Sequence, residues 1–325
     1  MDWQARRVLV TGAGGFIGSH LVEELLSRGA RVTALVRYTS VGSVGFLGSI
    51  AERVDIVAGD LSEVDSIGRA MRDQEVVFHL GALVGIPYSF IHPREVVDTN
   101  TIGTLNLLTV ARETQPWRVV LTSTSEVYGT ARYVPMDEAH PLQAQSPYAA
   151  SKIAADKLGE AFQHAYQLPV TIIRPFNTFG PRQSTRAVIP TIITQALRGG
   201  RILLGATSPT RDFTFVKDTV QGFIRGAEAD NAIGEAINLG TGQEISVGDL
   251  AAKIASLIGH AVEIVTEEQR LRPGMSEVNR LCSNNAKARR VLGWTPQYTL
   301  EEGLRQTIDW IKASGGLEGA GRYHI

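Results

Sequence analysis

The chain has 325 residues and a mass of 35.2 kDa, with 43% hydrophobic and 20% charged residues. That balance belongs to one large folded domain or two closely packed ones, and it excludes a disordered, collagen-like or disulfide-rich chain. Lys plus Arg number 32 against 33 Asp plus Glu, a formal charge of −1, which supplies no broad positive field for nucleic acid or an acidic membrane.

Met1-Asp2-Trp3-Gln4 leads almost at once into an apolar strand pattern, without the features of a signal peptide. No run approaches the ~20 apolar residues of a membrane span. Cys282 is the single cysteine, so no intrachain disulfide forms and an oxidising compartment is not indicated. The expected location is the cytoplasm.

From Arg7 to Ile173, short β-branched runs alternate with longer amphipathic ones, the pattern of a parallel sheet covered on both faces. The spacing predicts strands at Val8–Thr11, Arg31–Val36, Val54–Val57, Val76–His79, Val119–Leu121 and Val170–Ile173. Helices are predicted at Phe16–Ser27, Glu63–Met71, Pro93–Glu113 and Tyr148–Tyr166, the last with Ala154, Leu158, Ala161, Phe162 and Ala165 as its core-facing stripe. After Arg174-Pro175 the regularity breaks. Strand-like Asp212–Val216 and Ala236–Leu239, with a helix between them, are expected to return to the first sheet. The resulting fold class is α/β: a doubly wound parallel sheet over 1–173 plus about 211–239, and a smaller mixed α/β lobe over 174–210 and 240–314. The Gly-rich end, 315–325, is expected to fray.

Strand Val8–Thr11 runs into Gly12-Ala13-Gly14-Gly15-Phe16-Ile17-Gly18 and then a helix. This strand–turn–helix context suits a pyrophosphate, since glycine admits close backbone approach and a helix N-terminus offers free N–H groups. Where a dinucleotide site usually carries an acid on the ribose, the second strand ends instead at Arg37-Tyr38-Thr39-Ser40. A cation there favours NADP over NAD. Asp60 has two readings from spacing alone, contact with the adenine edge or a cap for the following helix.

Tyr148 and Lys152 stand four apart on one helix face, where an ammonium can stabilise phenolate and suit the phenol to proton transfer. The segment Leu121-Thr122-Ser123-Thr124-Ser125-Glu126-Val127-Tyr128-Gly129 lies at a strand's carboxyl end, where open α/β sheets bind ligands. Turn chemistry explains its hydroxyls but leaves Glu126 without a reason. Arg211 and Arg272 can each offer a planar fork to phosphate, and Asn177 an amide hydrogen bond. The seven histidines show no ligand spacing, and no metal is expected.

Together these segments resemble the extended short-chain dehydrogenase/reductase family, in its nucleotide-sugar epimerase/dehydratase branch. Thr11–Gly18 is similar to the family's cofactor turn, and His79-Leu80-Gly81-Ala82 and Asn100–Thr104 to its following motifs. Ser123–Gly129 and Ser146–Lys152 resemble the catalytic segments. Arg174–Arg182 and Arg211–Asp218 resemble the nucleotide-sugar signatures, and the likeness extends to Leu292–Pro296.

The resemblance implies a tightly bound NADP or NAD held by Gly12, Gly15, Phe16, Ile17, Gly18, Arg37, Asp60, Leu61, Leu80, Ala82, Tyr148 and Lys152. It implies that Tyr148 takes the proton of the sugar 4-hydroxyl, that Lys152 lowers the phenol's pKa, and that Thr124 bonds the reacting oxygen. Glu126 then removes the C5 proton, and with Ser125 where related dehydratases have Asp, it also serves as acid for the departing C6 hydroxyl. Ser89, Asn177, Val188, Arg211 and Arg272 are the implied substrate contacts, Val188 being equally readable as a helix staple. The leading expectation is a 4,6-dehydratase of a GDP- or UDP-hexose, N-acetylated sugars included. The alternatives are a 4-epimerase or a UDP-glucuronate decarboxylase, with a cofactor sensor lacking turnover as the outlying case. A homodimer through Pro93–Glu113 and Tyr148–Tyr166 is also implied.

Overall fold

The computed structural model describes residues 1–39, 41–259, 262–271 and 276–315. Ser40, Arg272 and residues 316–325 of the expected frayed tail lie outside the described residues.

Seven strands form one sheet: β1 (Arg7–Thr11), β2 (Arg31–Val36), β3 (Asp55–Ala58), β4 (Val76–His79), β5 (Arg118–Thr122), β6 (Val170–Pro175) and, much later, β11 (Ala236–Leu239). Their order is β11-β6-β5-β4-β1-β2-β3, and every pairing is parallel. The order reverses between β1 and β4, which opens a crevice at their carboxyl ends. Helices α1 (Phe16–Ser27) and α8 (Val216–Glu228) cover one face, α2 (Val64–Met71) and α5 (Gly103–Thr114) the other.

Strand periodicity explains this double cover. Val8 and Val10 join the α1/α8 layer with Leu21, Leu25 and Phe223, while Leu9 between them joins the opposite layer with Ile67, Leu107 and Leu108. Each such fully buried side chain contributes about 1.5–3 kcal/mol.

The expected helix Pro93–Glu113 is three segments in series: α4 (Pro93–Val97), a π-helical turn (Asp98–Ile102) and α5. A short helix, α3 (Ile86–Ile91), precedes it, unannounced by the sequence pattern. Helix α6 (Pro147–Tyr166) starts from Ser146, whose hydroxyl accepts from Ala149 N–H at 3.1 Å, with Pro147 in the first turn.

The stripe expected on α6 is corrected by the structure in part, since only Leu158 and Phe162 of it pack against the core. Its buried face carries Tyr148, Lys152, Ala155, Asp156 and Gly159, whereas Ala161 and Ala165 are exposed and Ala154, Leu158 and Phe162 are half-buried. Polar side chains take the inward positions because they find partners there. Gly159 lets Leu121 approach, a Cβ at 159 falling 2.6 Å from its Cδ1.

The remaining elements lie outside the main sheet. β7 (Asn177–Phe179) pairs in parallel with β10 (Phe213–Phe215), so the expected return of Asp212–Val216 to the main sheet is also corrected; only β11 returns. β8 (Gly200–Leu204) pairs with β13 (Val262–Thr266), and β9 (Thr210–Arg211) lies between β12 (Ile245–Ser246) and β14 (Arg280–Leu281). α7 (Val188–Arg198), α9 (Val247–Ile258), α10 (Ala286–Leu292) and α11 (Leu300–Ala313) pack around them. Two buried carboxylates latch these elements to the rest of the chain. Asp212 accepts from Thr241 N–H, Gly242 N–H and Ser283 N–H at 2.8–3.1 Å, and Asp218 accepts from Gln297 N–H and Tyr298 N–H at 2.9 and 3.1 Å. Among the described residues no helix is long and apolar enough to cross a membrane.

Candidate active site

The turn after β1 is pressed against the end of β4. Gly12 has φ +66°, and a Cβ on it would fall 2.8 Å from Gly81 N; a Cβ on Gly18 would fall 2.2 Å from the Gly12 carbonyl. These glycines therefore have a steric reason. Leu61 closes the floor, its side chain lying against Gly81 and Gly103. The N-cap of α1 is Gly15, with no side-chain cap and no acid in the first turn. The amides of Phe16, Ile17 and Gly18 thus open a cradle that suits an anionic diphosphate. Leu80 and Ala82 line the β4 side, both half-buried.

Beyond β2, Arg37 is 68% exposed and lies 3.6 Å from Asp60 and 4.0 Å from Glu95. Asp60 also accepts from Ser62 N–H at 2.9 Å in the turn before α2, whose N-cap is Glu63, so Asp60 does not cap that helix. A hollow of about 400 Å³ here is lined by Arg37, Tyr38, Asp60, Glu63, Ser66 and Arg69. Carboxylates outnumber guanidiniums around Arg37, which weakens the argument from Arg37 to a 2′-phosphate.

At the crevice floor His79 is fully buried, its Nδ1 2.8 Å from Thr11 Oγ1 and its Nε2 3.1 Å from Thr104 Oγ1. Proton accounting fixes the roles. Thr104 donates to the Asn100 carbonyl and so accepts from His79 Nε2–H; Thr11 accepts from Gly81 N–H at 2.9 Å and donates to Nδ1. Burial, with the Lys152 charge, pushes the imidazole down to about 3, so it remains neutral. Asn100, in the π-helical turn, grips Leu83 through both backbone groups at 2.8 and 2.9 Å and donates to Ser151 Oγ at 3.0 Å. His79 and Asn100 thereby tie the β4 end to β1 and to α6. The sequence displays both within family-like motifs, without showing what they touch.

The reacting groups converge beyond β5. Thr124 caps the 3-10 turn Ser125–Tyr128, accepting from Glu126 N–H at 3.2 Å, and its hydroxyl is hydrogen-bonded to the Tyr148 phenol. Burial raises the phenol above its ordinary value, the Thr124 bond opposes this, and the Glu126 and Asp156 charges add to the rise. This reverses the lowered phenol pKa expected from the sequence, since loss of water outweighs the stabilising contacts. Lys152 is 4% exposed and donates to the Thr122 carbonyl. Burial pulls its ammonium down to about 8 against the opposing pull of Asp156. Glu126 is half-buried beside Tyr148, whereas Ser125 is buried.

The expected sugar and diphosphate contacts are placed less uniformly. Asn177 Oδ1 is buried without a hydrogen-bond partner. Arg211 is 6% exposed; its guanidinium donates to the Thr210 carbonyl at 2.9 Å and to Glu277 at 3.3 Å. Thr130 Oγ1 reaches the Glu277 carbonyl at 3.4 Å, tying the segment beside Arg211 to the chain that follows Glu126. Val188 opens α7 half-buried and packs on the main core. Ser89 is fully buried, its hydroxyl donating to the Ile86 carbonyl at 2.7 Å, so the structure corrects its expected role as a substrate contact. Arg272 lies outside the described residues. Among the described residues no three His, Cys, Asp or Glu side chains cluster as a metal site requires.

Residues 9–307 match the family model for GDP-mannose 4,6 dehydratase. The chain is 36% identical to a UDP-glucose 4-epimerase of Mycolicibacterium smegmatis, over 94% of this chain and 98% of that protein. It is 32% identical to a UDP-N-acetyl-alpha-D-glucosaminuronate decarboxylase of Bacillus cytotoxicus, over 94% and 98%. The structure of DesIV, a dTDP-glucose 4,6-dehydratase from Streptomyces venezuelae with NAD bound, superposes with a TM-score of 0.87 at 30% identity, over 95% of this chain and 98% of that one. Three different outcomes are thus represented on one scaffold. With the glycine cradle, the β1/β4 crevice and the Thr124–Tyr148–Lys152 cluster in place, the chain belongs to the GDP-mannose 4,6-dehydratase family of extended short-chain dehydrogenase/reductases, which contains nucleotide-sugar dehydratases and epimerases.

Proposed function

We propose that the protein is a nucleotide-sugar 4,6-dehydratase, converting a GDP- or UDP-hexose, N-acetylated sugars included, to its 4-keto-6-deoxy form. The observation that carries this reading is Glu126, a half-buried carboxylate whose charge acts on Tyr148. A bound nicotinamide dinucleotide supplies the hydride acceptor and donor. Tyr148 takes the proton of the C4 hydroxyl, with Thr124 bonding the reacting oxygen and Lys152 holding positive charge beneath. Once C4 is a ketone, the C5 hydrogen is acidic and Glu126 removes it; Glu126 returns that proton to the C6 hydroxyl, which leaves as water, and the C5–C6 double bond left behind would become the 6-deoxy sugar by gaining at C6 the hydride taken from C4 and at C5 a solvent proton. Ser125 is buried and is a far weaker acid, so it does not compete for this step. Asn177 and Arg211, with Arg272, serve the diphosphate side. Presenting the protein with a panel of GDP- and UDP-hexoses tests the reading: one member should lose water, and conversion without water loss would defeat it.

For the cofactor, the three carboxylates Asp60, Glu63 and Glu95 around Arg37 support NAD over NADP. A 2′-phosphate would enter against their charge, whereas a 2′-hydroxyl can donate to one of them. Calorimetric titration should give at least about tenfold tighter binding of NAD, a difference of about 1.4 kcal/mol; tighter NADP would overturn the assignment.

Exposed Ile91, Val97 and Ile102 on α3–α5 and Tyr166 on α6 support these helices as the homodimer face. Sedimentation equilibrium should return a dimer, and a monomer would remove this reading.

A further inference from the structure

Lys152 stands in a place that disfavours its charge. It is 4% exposed, at the inward face of α6, and burying an ammonium without a counter-charge expels its proton. The groups that act on it come from three elements: the Thr122 carbonyl from β5 accepts its hydrogen bond, neutral His79 from β4 feels its charge, and Asp156 from α6 is the one acid, with Arg174 of β6 seated on Asp156 behind. Asp156 is the acid that opposes the loss of charge, one helical turn beyond Lys152.

Asp156 is itself fixed with unusual completeness for a side chain 2% exposed. Arg174, 3% exposed, donates to its Oδ2 from Nε at 3.0 Å and Nη2 at 2.9 Å. The third nitrogen, Nη1, donates to the Tyr128 hydroxyl at 3.0 Å, and the guanidinium lies 5.3 Å from the Tyr128 ring centroid. Tyr128 donates to Asn238 Oδ1 at 2.7 Å, and Asn238 is held by the Met136 carbonyl at 3.2 Å and by Glu138 at 2.8 Å. The chain of bonds thus runs from β11 through β6 to α6. A buried ion pair adds no more stability than well-packed apolar residues of similar size, so stability does not by itself account for charges at 156 and 174.

We propose that Asp156, locked by Arg174, is a positioning residue that keeps Lys152 charged in its buried seat below Tyr148. Its value for catalysis rests on the proposed acid–base role of Tyr148; the charge state of Lys152 does not, and is read without substrate. The chain has six lysines, so the Lys152 ammonium can be followed by ¹⁵N-lysine NMR in the full-length protein, assigned with Lys152→Arg, across a pH titration. In Asp156→Asn the Lys152 midpoint should fall by about one pH unit or more, and Asp156→Glu should restore it. A folded Asp156→Asn protein with an unmoved midpoint overturns the proposal. If that variant does not fold because Arg174 is left unpaired, Asp156→Asn/Arg174→Met removes both charges. Because losing the Arg174 cation itself raises the midpoint, that variant is compared with Arg174→Met alone: a fall from the single to the double variant is expected, and equal midpoints in the two again overturn the proposal. A purely structural pair would change thermal stability and leave the titration where it was.

Discussion

Tyr148→Phe should lower kcat by about 10²–10⁴-fold, the range for loss of a positioned proton-transfer group, while cofactor affinity stays near its original value. The substitution keeps the ring that fills the inward face of α6 and removes only the oxygen bonded to Thr124. One buried hydrogen bond of this kind contributes about 1 kcal/mol, too little to unfold the domain. Steady-state turnover and a fluorescence titration of cofactor binding, made on the same preparation, separate the two effects. Retained turnover would show that another group handles the C4 proton.

Glu126→Gln should have a comparable effect on overall turnover but should divide the reaction. Oxidation at C4 needs Tyr148, Thr124 and Lys152, none of which the amide displaces. Removal of the C5 proton needs a carboxylate, and glutamine has no proton-accepting oxygen of useful basicity. Exchange of the C5 hydrogen with solvent deuterium and loss of water should therefore both fall by about 10²–10⁴-fold. A 4-ketohexose should still be trapped by borodeuteride. Equal loss of both half-reactions would remove Glu126 from the C5 step and assign it to binding or folding.

The main sheet was legible because its strands read as continuous apolar runs; β1, β3 and β5 differ from their expected bounds by about one residue at an end, and β6 runs about two residues further. Other elements lacked such a signal. α3 is six residues with a proline in its first turn, too short for a helical period to show. β10 has the aromatic and β-branched composition of a sheet strand, but its partner is β7, and pairing is a long-range choice that composition does not encode. On α6 the apolar period marked only the half-buried flank that carries Leu158 and Phe162, because the fully inward positions are occupied by Lys152, Asp156 and Gly159.

The site divides in the same way. Gly12, Gly18, Thr124, Tyr148 and Lys152 stood out because their chemistry is local to a turn or to one helix face. His79 was visible as part of a motif, yet its work depends on residues 11, 81 and 104, which only the fold brings together. Asp156 and Arg174 likewise become a pair through the packing of α6 on β6. Ser89 points the other way: it fits a substrate-facing pattern in sequence, and its hydroxyl is consumed within α3.

The central claim is that Glu126 turns C4 oxidation into elimination. The most direct test is the mass and structure of the product formed in heavy water from GDP-, UDP- and dTDP-hexoses and their uronates. Loss of one water and gain of one solvent deuteron at C5 are expected, and the nucleotide that supports turnover is identified in the same experiment. An isomer of unchanged composition, or carbon dioxide released from a uronate, would contradict the claim and make the protein an epimerase or a decarboxylase.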